Sequence, residues 1–380
     1  MCYNLVTMST WKVFASKVEL LPHGNAEKLV LLKLGPYSLV AGKDSGYSEG
    51  DIVIFAPAKS ILPEEIKGNY SNSDTGISYL SGPNKDRVKS IKLRGELSEG
   101  VTLNRDWVLS KLDLNSVEEI PLDIDLSEQL RIEKYEPPIP IHMAGQVEPI
   151  QRITFIRHHD VEQFRLYSNE FQEGEEVIAT EKLHGSLITG LKQIDYIDIE
   201  GHHQFGKWLI SSKGISKRDL SIRESIDNTY WQAFHNTDLD TFFSVGAPGD
   251  EIQFFGEMIP CQKNFSYGQT KPTFKIFRLI INGKELEWDE MKAWPDKPGQ
   301  NSMTHGLLRP YLVPELYSGP FDESILRTLA DGCEKISGKN LHIKEGIVIR
   351  PKLNRRSKEG FNLFLKILNK AYKESDEAFS

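Results

Sequence analysis

The sequence predicts an α+β protein in two parts. Three observations carry that expectation. The first hundred or so residues hold short apolar runs punctuated by Gly, Pro and Asn. A proline-rich stretch, PPIPIHMAGQVEP, then interrupts regular structure. From about residue 151 onward, strand-like apolar runs alternate with helical stretches.

In the first part, VLLKLGPYSLVAG reads as a hairpin turning through Gly35-Pro36, and DIVIFAPA alternates Ile52 and Ile54 against Val53 and Phe55. RVKSIKLRGELSEGV reads as a strand, a glycine break and a turn. Short strands of this kind predict a small β-barrel of OB type over residues 1–136. The acidic segment from Asp113 to Glu136 contains DLSEQLRIEKY, where Asp125 or Ser127 is an N-cap candidate for a short helix. The prolines place an interdomain linker at 137–150. In the second part, 151–380, EEVIATEK, EIQFFGEM, TFKIFRLII and EGIVIRP read as strands. SILRTLADGCEKI reads as a helix with apolar positions at Ile325, Leu326, Leu329 and Cys333.

The bulk numbers narrow the function. A chain of 380 residues suits two or three domains. With 39% hydrophobic and 26% charged residues, and no run near the ~18 apolar residues of a membrane span, no membrane partner is expected. MCYNLVTMSTWKVF lacks the basic start and apolar block of a signal peptide. Cys2, Cys261 and Cys333 are scattered and form no CxxC, which predicts reduced thiols, a cytoplasmic location and no zinc site. A net charge of -8 argues against nonspecific coating of nucleic acid. Two stretches are nonetheless basic. Arg350 to Glu374 holds eight basic residues against two acidic ones, and Lys85 to Arg94 holds five against Asp86. Such stretches are either solvated surface or phosphate contacts.

The most informative stretch is ATEKLHGSLITG, in which a strand ends on Lys182, followed by Leu183, His184 and Gly185. Further on, Glu257 closes the apolar run IQFFGEMI, FKIFRL presents Phe274 and Phe277, Glu345 precedes the glycine of KEGIVIRP, and Lys366 interrupts FNLFLKILNK. Singly, each has a plain structural explanation: a solvated strand end, a turn carboxylate, a core aromatic, a snorkelling lysine. Together they supply the parts of nucleotidyl transfer. A deprotonated lysine can hold a nucleotide as a phosphoramidate. A second cation disfavours its charged form. Two carboxylates can hold a hard divalent cation, and an aromatic ring can stack on a base.

ATEKLHGS resembles motif I of the covalent nucleotidyltransferases, the superfamily of ATP-dependent ligases and mRNA capping enzymes, and EKLHGS is similar to the RNA ligases in particular. FFGEM resembles motif III, FKIFRL motif IIIa, KEGIVIR motif IV and FLKILNK motif V. LISSKG resembles motif Ia, with Lys213 in place of the commoner arginine. The motifs stand in family order and span Glu181 to Lys370. Only 14 residues follow Lys366, and the extra domain precedes the motifs, an order that resembles the nick-sealing branch sometimes called RNA ligase family 5. The stretches VKSIKLRGELSEGV and EKYEPP are similar to that branch too.

The resemblance implies a nucleotidyltransferase domain, ATP-grasp-like, of antiparallel sheets and helices. It implies Lys182 as the nucleophile that becomes lysyl-AMP, with ATP as the nucleotide and Mg2+ or Mn2+ as the metal. Glu181, with backbone groups near Leu183, would read adenine. Gly185 would permit close approach, and His184 would position the ribose or the loop. Lys213 would lie at the phosphate or ribose, Glu257 at the ribose or metal, Phe277 on the base, Glu345 at the metal and Lys366 at the α-phosphate. The implied reaction charges Lys182, passes AMP to a 5′-phosphate and joins that end to a 3′-OH. The expected partner is RNA, or an RNA-containing duplex with a nick, gripped by a monomer through Arg87, Lys89, Lys92 and Arg94. Two positions depart from the family pattern. Leu368 stands where a second motif V lysine is common, with Lys370 as a substitute candidate. Arg278 stands where an acidic residue is common, and it would weaken a metal contact or add a phosphate contact. The competing readings are a capping-type guanylyltransferase, a DNA ligase, or a noncatalytic OB-containing RNA-binding protein.

Overall fold

Gly35 and Pro36 turn the chain back on itself as expected, pairing Leu29–Leu34 with Tyr37–Gly42 from Leu34↔Tyr37 outward. The computed structural model describes residues 11–71, 78–136, 138, 145–150, 156–158, 160–192, 196–197, 203–204, 207–237, 239, 251–294, 308–358 and 360–372. The chain divides into two compact units, Met8–Pro137 and Pro138–Ser380. Cys2, Glu359, Lys373, Glu374 and half of the expected linker lie outside the described residues. The end of that linker, Val147–Pro149, is a strand of the larger sheet of the second unit.

The first unit is built from short strands. Ile52–Pro57 pairs with Phe14–Lys17 and Gly100–Thr102. Its alternation sends Ile54 and Ala56 to one apolar cluster, with Val13, Val88, Val101 and Val108, and Phe55 to another, with Phe14, Leu32, Leu34 and Leu39. Glu19–Pro22 joins the Leu29–Leu34 hairpin, and Ile91–Leu93 and Glu96–Ser98 form a second hairpin. That hairpin turns through Arg94 and Gly95, both at positive φ, as a tight two-residue turn requires. Among the described residues no sheet closes on itself, so the expected barrel is not seen as a closed sheet. Strands of two to six residues, cut short by left-handed residues such as Lys59 and Lys85, do not supply a continuous ladder. The helix expected in DLSEQLRIEKY is also absent. Arg131 has φ 54°, which breaks a helix, and Asp125 accepts the N–H of Val13 and of Ser127. Glu133–Lys134 pairs with Ser60–Ile61 instead.

The second unit is mixed α and β, with two large sheets. The five-stranded sheet runs Glu162–Gln163, Leu365–Leu368, Gly346–Pro351, Glu176–Lys182, Glu315–Pro320, antiparallel except for its first pair. The seven-stranded sheet is antiparallel and runs Val147–Pro149, Leu220–Ile222, Trp208–Ser212, Ser186–Lys192, Ile252–Ile259, Thr273–Ile281, Lys284–Glu285. All four strands expected from the C-terminal sequence are present.

One face of the five-stranded sheet (Val177, Ala179, Ile347, Ile349, Leu365, Ile367) is core, packed against Phe164, Tyr167 and the helix Glu323–Ala330. The larger sheet packs Ile210, Phe254 and Phe274 against the helix Thr229–Asn236. The helix Glu323–Ala330 is capped by Asp322, which accepts the Ile325 N–H at 3.0 Å. It ends earlier than the pattern implied, because Gly332 adopts φ 97°. Cys333 lies beyond it, bridged to Ile343, and Ile325 is exposed.

Candidate active site

Lys182 is the last residue of a five-stranded-sheet strand, and Ser186 is the first residue of a seven-stranded-sheet strand. The turn Leu183-His184-Gly185 thus carries the chain from one sheet to the other. Gly185 is required there. A Cβ on it would lie 2.3 Å from the Met258 carbonyl oxygen and 2.8 Å from Glu257 Cγ. The close approach that the sequence assigned to this glycine is made by the neighbouring strand.

A cleft of about 370 Å3 opens between the two sheets, within the usual size for a small-molecule site. Period-2 alternation lines one wall with Thr180, Lys182, Val348, Arg350 and Lys366. Thr180 pairs with Val348, and Val348 with Lys366, so these side chains stand in one row across the sheet. The other wall is Ser186, Leu187, Glu257, Phe277 and Lys213. Leu187 pairs with Glu257 across the ladder.

Charges meet at the junction. Lys182 Nζ lies 2.6 Å from Glu345 Oε1. Gly346, opposite Lys182 in the ladder, holds Glu345 there: its φ is 152°, and a Cβ would lie 2.1 Å from the Ile367 carbonyl oxygen. Burial, together with the negative charge of Glu345, raises the Glu257 carboxyl to about 7, although Lys182, Lys213 and the Gly185 N–H oppose the shift. Burial and then the charge of Lys182 push the Lys366 amine down. Lys213 is ion-paired with Asp160.

Phe277 enters the cleft by a local irregularity. Phe255 pairs with Arg278 but Gly256 pairs with Ile276, so Phe277 is the extra residue of a β-bulge. Bulges re-aim side chains in this way. The His158 ring packs against it, 5.2 Å between centroids.

The remaining expected residues fall as follows. The Glu181 side chain alternates to the face opposite Lys182. One oxygen accepts the Lys335 N–H at 2.9 Å, the other is buried with no partner among the described residues, and burial raises the carboxyl to about 7. Leu183 borders the cleft and belongs to the apolar core beneath it. His184 is not part of the cleft lining, and its ring packs on Phe265. Arg278 serves neither of the roles foreseen for it. It is buried, bonds Glu285 at 2.5 Å and lies over the Phe255 ring. Lys370 does not replace the lysine missing at Leu368. Its side chain is 87% exposed and its ammonium lies 4.0 Å from Asp331.

Sequence reasoning missed His158, Asp160 and Arg350. Arg350 is fully buried, donates to the Phe277 carbonyl at 3.2 Å and to Asn354 at 2.9 Å, and so ties the bulge to the opposite sheet. A lone arginine at the polar end of the apolar run GIVIRP was the available signal.

Two sheets facing across a cleft, with a lysine at their junction, suit nucleotidyl transfer. A family model described as RNA ligase matches residues 175–368, just over half of the chain, and the chain belongs to that family. Among solved structures it is similar to a Naegleria gruberi RNA ligase with PPi, at 19% identity, covering 96% of this chain and 98% of that one, with a TM-score of 0.64. It is also similar to an apo variant of that ligase (18%, 98% and 100%, 0.67) and to a variant with ATP and Mn (19%, 96% and 98%, 0.67). At such identity the likeness concerns the fold. No curated protein matches the sequence. Among the described residues, no helix is long and apolar enough to cross a membrane.

Proposed function

We propose that this protein is an ATP-dependent RNA ligase that joins 3′-OH and 5′-phosphate ends, at nicks in duplexes, through lysyl-AMP and adenylated-strand intermediates. The observation that carries the reading is Lys182 at the junction of the two sheets, paired with Glu345, beside Lys366 on one wall of the cleft and facing Glu257 and Phe277 on the other. The similar ligase has been solved as a variant with ATP and Mn, which favours the same nucleotide here.

The lone pair of Lys182 Nζ attacks the α-phosphorus of ATP. A P–N bond forms, the bond to pyrophosphate breaks, and Nζ gives up a proton. Glu345 is the carboxylate nearest that proton. Lys366 faces the same space as a cation for the α-phosphate. Phe277 offers a ring for the base, and Lys213 lies towards the ribose or phosphates. AMP then passes to the 5′-phosphate, and the 3′-OH displaces it.

The site suits a divalent metal. Burial and the negative charge of Glu345 raise the cost of ionising Glu257, which a cation would offset. Among the described residues no cluster of three or more ligating side chains occurs, so water and phosphate oxygens would complete the shell of Mg2+ or Mn2+. When bound, such an ion neutralises phosphate charge and favours pyrophosphate departure.

On this reading the chain comprises an OB-type nucleic-acid-binding domain over 1–136, a linker at 137–150 whose last strand, Val147–Pro149, joins the larger sheet, and the nucleotidyltransferase domain at 151–380. Lys89, Lys92 and Arg94 are exposed on or beside the second hairpin of the first unit. Arg87 is partly committed, stacked 4.2 Å over Tyr135. The protein would act as a cytoplasmic monomer on RNA.

Incubation with α-phosphate-labelled ATP and a divalent metal, followed by a denaturing gel, tests the reading. Label from ATP and not GTP, absent in Lys182→Ala, is the expected outcome. Absence of label after pyrophosphatase treatment, in protein free of prior adenylylation, would sink it. Label from GTP alone would mark a capping-type enzyme.

A further inference from the structure

The turn after Lys182 is held by two phenols. The hydroxyl of Tyr267, a fully buried residue, accepts the His184 N–H at 2.7 Å. Tyr267 is itself fixed: its N–H donates to His342 Nε2 at 3.3 Å, and the opposite nitrogen of that ring lies 2.8 Å from the Ile343 carbonyl oxygen. The hydroxyl of Tyr372, also buried, lies 2.5 Å from His184 Nδ1. The His184 ring is sandwiched into the same cluster, 4.3 Å from Phe265 and 5.7 Å from Tyr372 between centroids.

Tyr372 belongs to a segment with a second grip on the site. Three residues earlier, the Asn369 N–H donates to the Glu345 carbonyl oxygen at 2.9 Å. Asn369 is anchored in turn through its side chain to the Gly332 carbonyl oxygen. One short piece of chain thus touches the backbone of Glu345 and, through His184, the turn that follows Lys182. Those are the two residues of the 2.6 Å ion pair.

We propose that Tyr267 and Tyr372 are positioning residues for the nucleophile, and that residues 369–372 brace Lys182 against Glu345, with Tyr372 acting through His184. Packing alone requires no hydroxyl at either position, since phenylalanine fills nearly the same volume. Both hydroxyls are nevertheless spent on one residue, two places from the reacting amine. In-line attack on phosphorus is sensitive to sub-ångström placement of the nucleophile. A brace of this kind affects the step in which Lys182 attacks and leaves the final joining step, in which Lys182 is not the nucleophile, largely untouched.

The inference rests on the ligase reading, and the test separates the two. Tyr372→Phe and Tyr267→Phe are compared with the unmodified protein in single-turnover adenylylation from labelled ATP, in sealing of a pre-adenylated nicked RNA duplex, and in thermal unfolding. Tyr372→Phe is expected to charge Lys182 about tenfold more slowly at saturating ATP, with an unchanged KM for ATP, a melting temperature lowered by no more than a few degrees and normal sealing of the pre-adenylated nick. Tyr267→Phe, which strands a backbone N–H, is expected to lower the charging rate further and the melting temperature as well. Charging by Tyr372→Phe at the normal rate overturns the brace, as does an equal loss in charging and in pre-adenylated sealing. If the unmodified protein takes no label, the ligase reading falls, and the brace with it.

Discussion

Glu257 sits between two demands. Its position beside Lys182 and Glu345 suits a carboxylate that works ionised, yet burial raises it from the ordinary 4.5 to about 7. The sign of the effect on stability follows. Between those two values the folded chain holds a proton that the unfolded chain has lost. The contribution of this group is therefore fully present below about 4.5 and is lost as pH rises through 7. Glu181, raised to about 7 on the opposite face of its strand, adds a second contribution of the same sign. Glu334 and Glu175 are lowered by their hydrogen bonds, so their contributions are lost only at more acid pH. Urea midpoints measured from pH 5 to 8 should therefore decline in the unmodified protein and decline less in Glu257→Gln. Glu257→Gln should charge slowly at every pH, because an amide cannot supply the carboxylate that faces Lys182 and the metal. A urea profile identical in the two proteins would show that Glu257 is not the group that titrates.

Among the elements, the sheet-to-sheet turn is the least tolerant. Gly185→Ala would drive a methyl group to 2.3 Å from a backbone oxygen of Ile252–Ile259, and that strand is paired on both sides and cannot shift cheaply. The expected result is destabilisation of about 1–3 kcal/mol and charging slower by about 100-fold, read from chemical denaturation and from labelling. This turn was legible in the sequence because a lysine, a glycine and an apolar run stand within a few residues. The strands were legible for the same kind of reason: a run such as IQFFGEMI leaves few alternatives. What sequence could not convey was registration. The bulge at Phe277 depends on how two strands slip against each other, and the pairing of Thr180 with Val348 joins residues more than a hundred positions apart. The basic run from Arg350 was open to two readings, solvated surface or phosphate contacts, and the fold divides it. In the fold, Arg350 is buried against Phe277, Arg355 is locked to Glu175 at 2.7 Å, Lys366 lines the cleft and Lys370 points to solvent. The N-terminal strands were foreseen, but their closure was not decided by strand propensity, since left-handed residues between short strands set where each ladder stops.

For the whole molecule, the division of labour follows from where the cores lie. The second unit contains every residue of the candidate site and has its own apolar clusters on both sheets. The first unit has two clusters of its own, split by the alternation of Ile52–Pro57. Units with separate cores can carry separate functions. Charging Lys182 needs only ATP and the cleft, whereas sealing needs a hold on a polyanion, and Lys85, Lys89, Lys92 and Arg94 are exposed in the first unit. On a chain of net charge -8 such a cluster stands out locally. Each phosphate contact released to solvent should lower both the affinity and its salt dependence. Replacing Lys89, Lys92 and Arg94 together by glutamate should leave charging from ATP within about twofold, because no residue of the cleft is altered. Sealing of a nicked duplex should slow about tenfold or more at low salt, and the loss should shrink as salt rises, since screening removes the contribution of these residues in the unmodified protein too. The measurement is a sealing rate at 50 and 200 mM salt beside a charging rate for each protein. Equal sealing at both salts would remove the first unit's basic hairpin from substrate binding and would leave the RNA grip to the second unit alone.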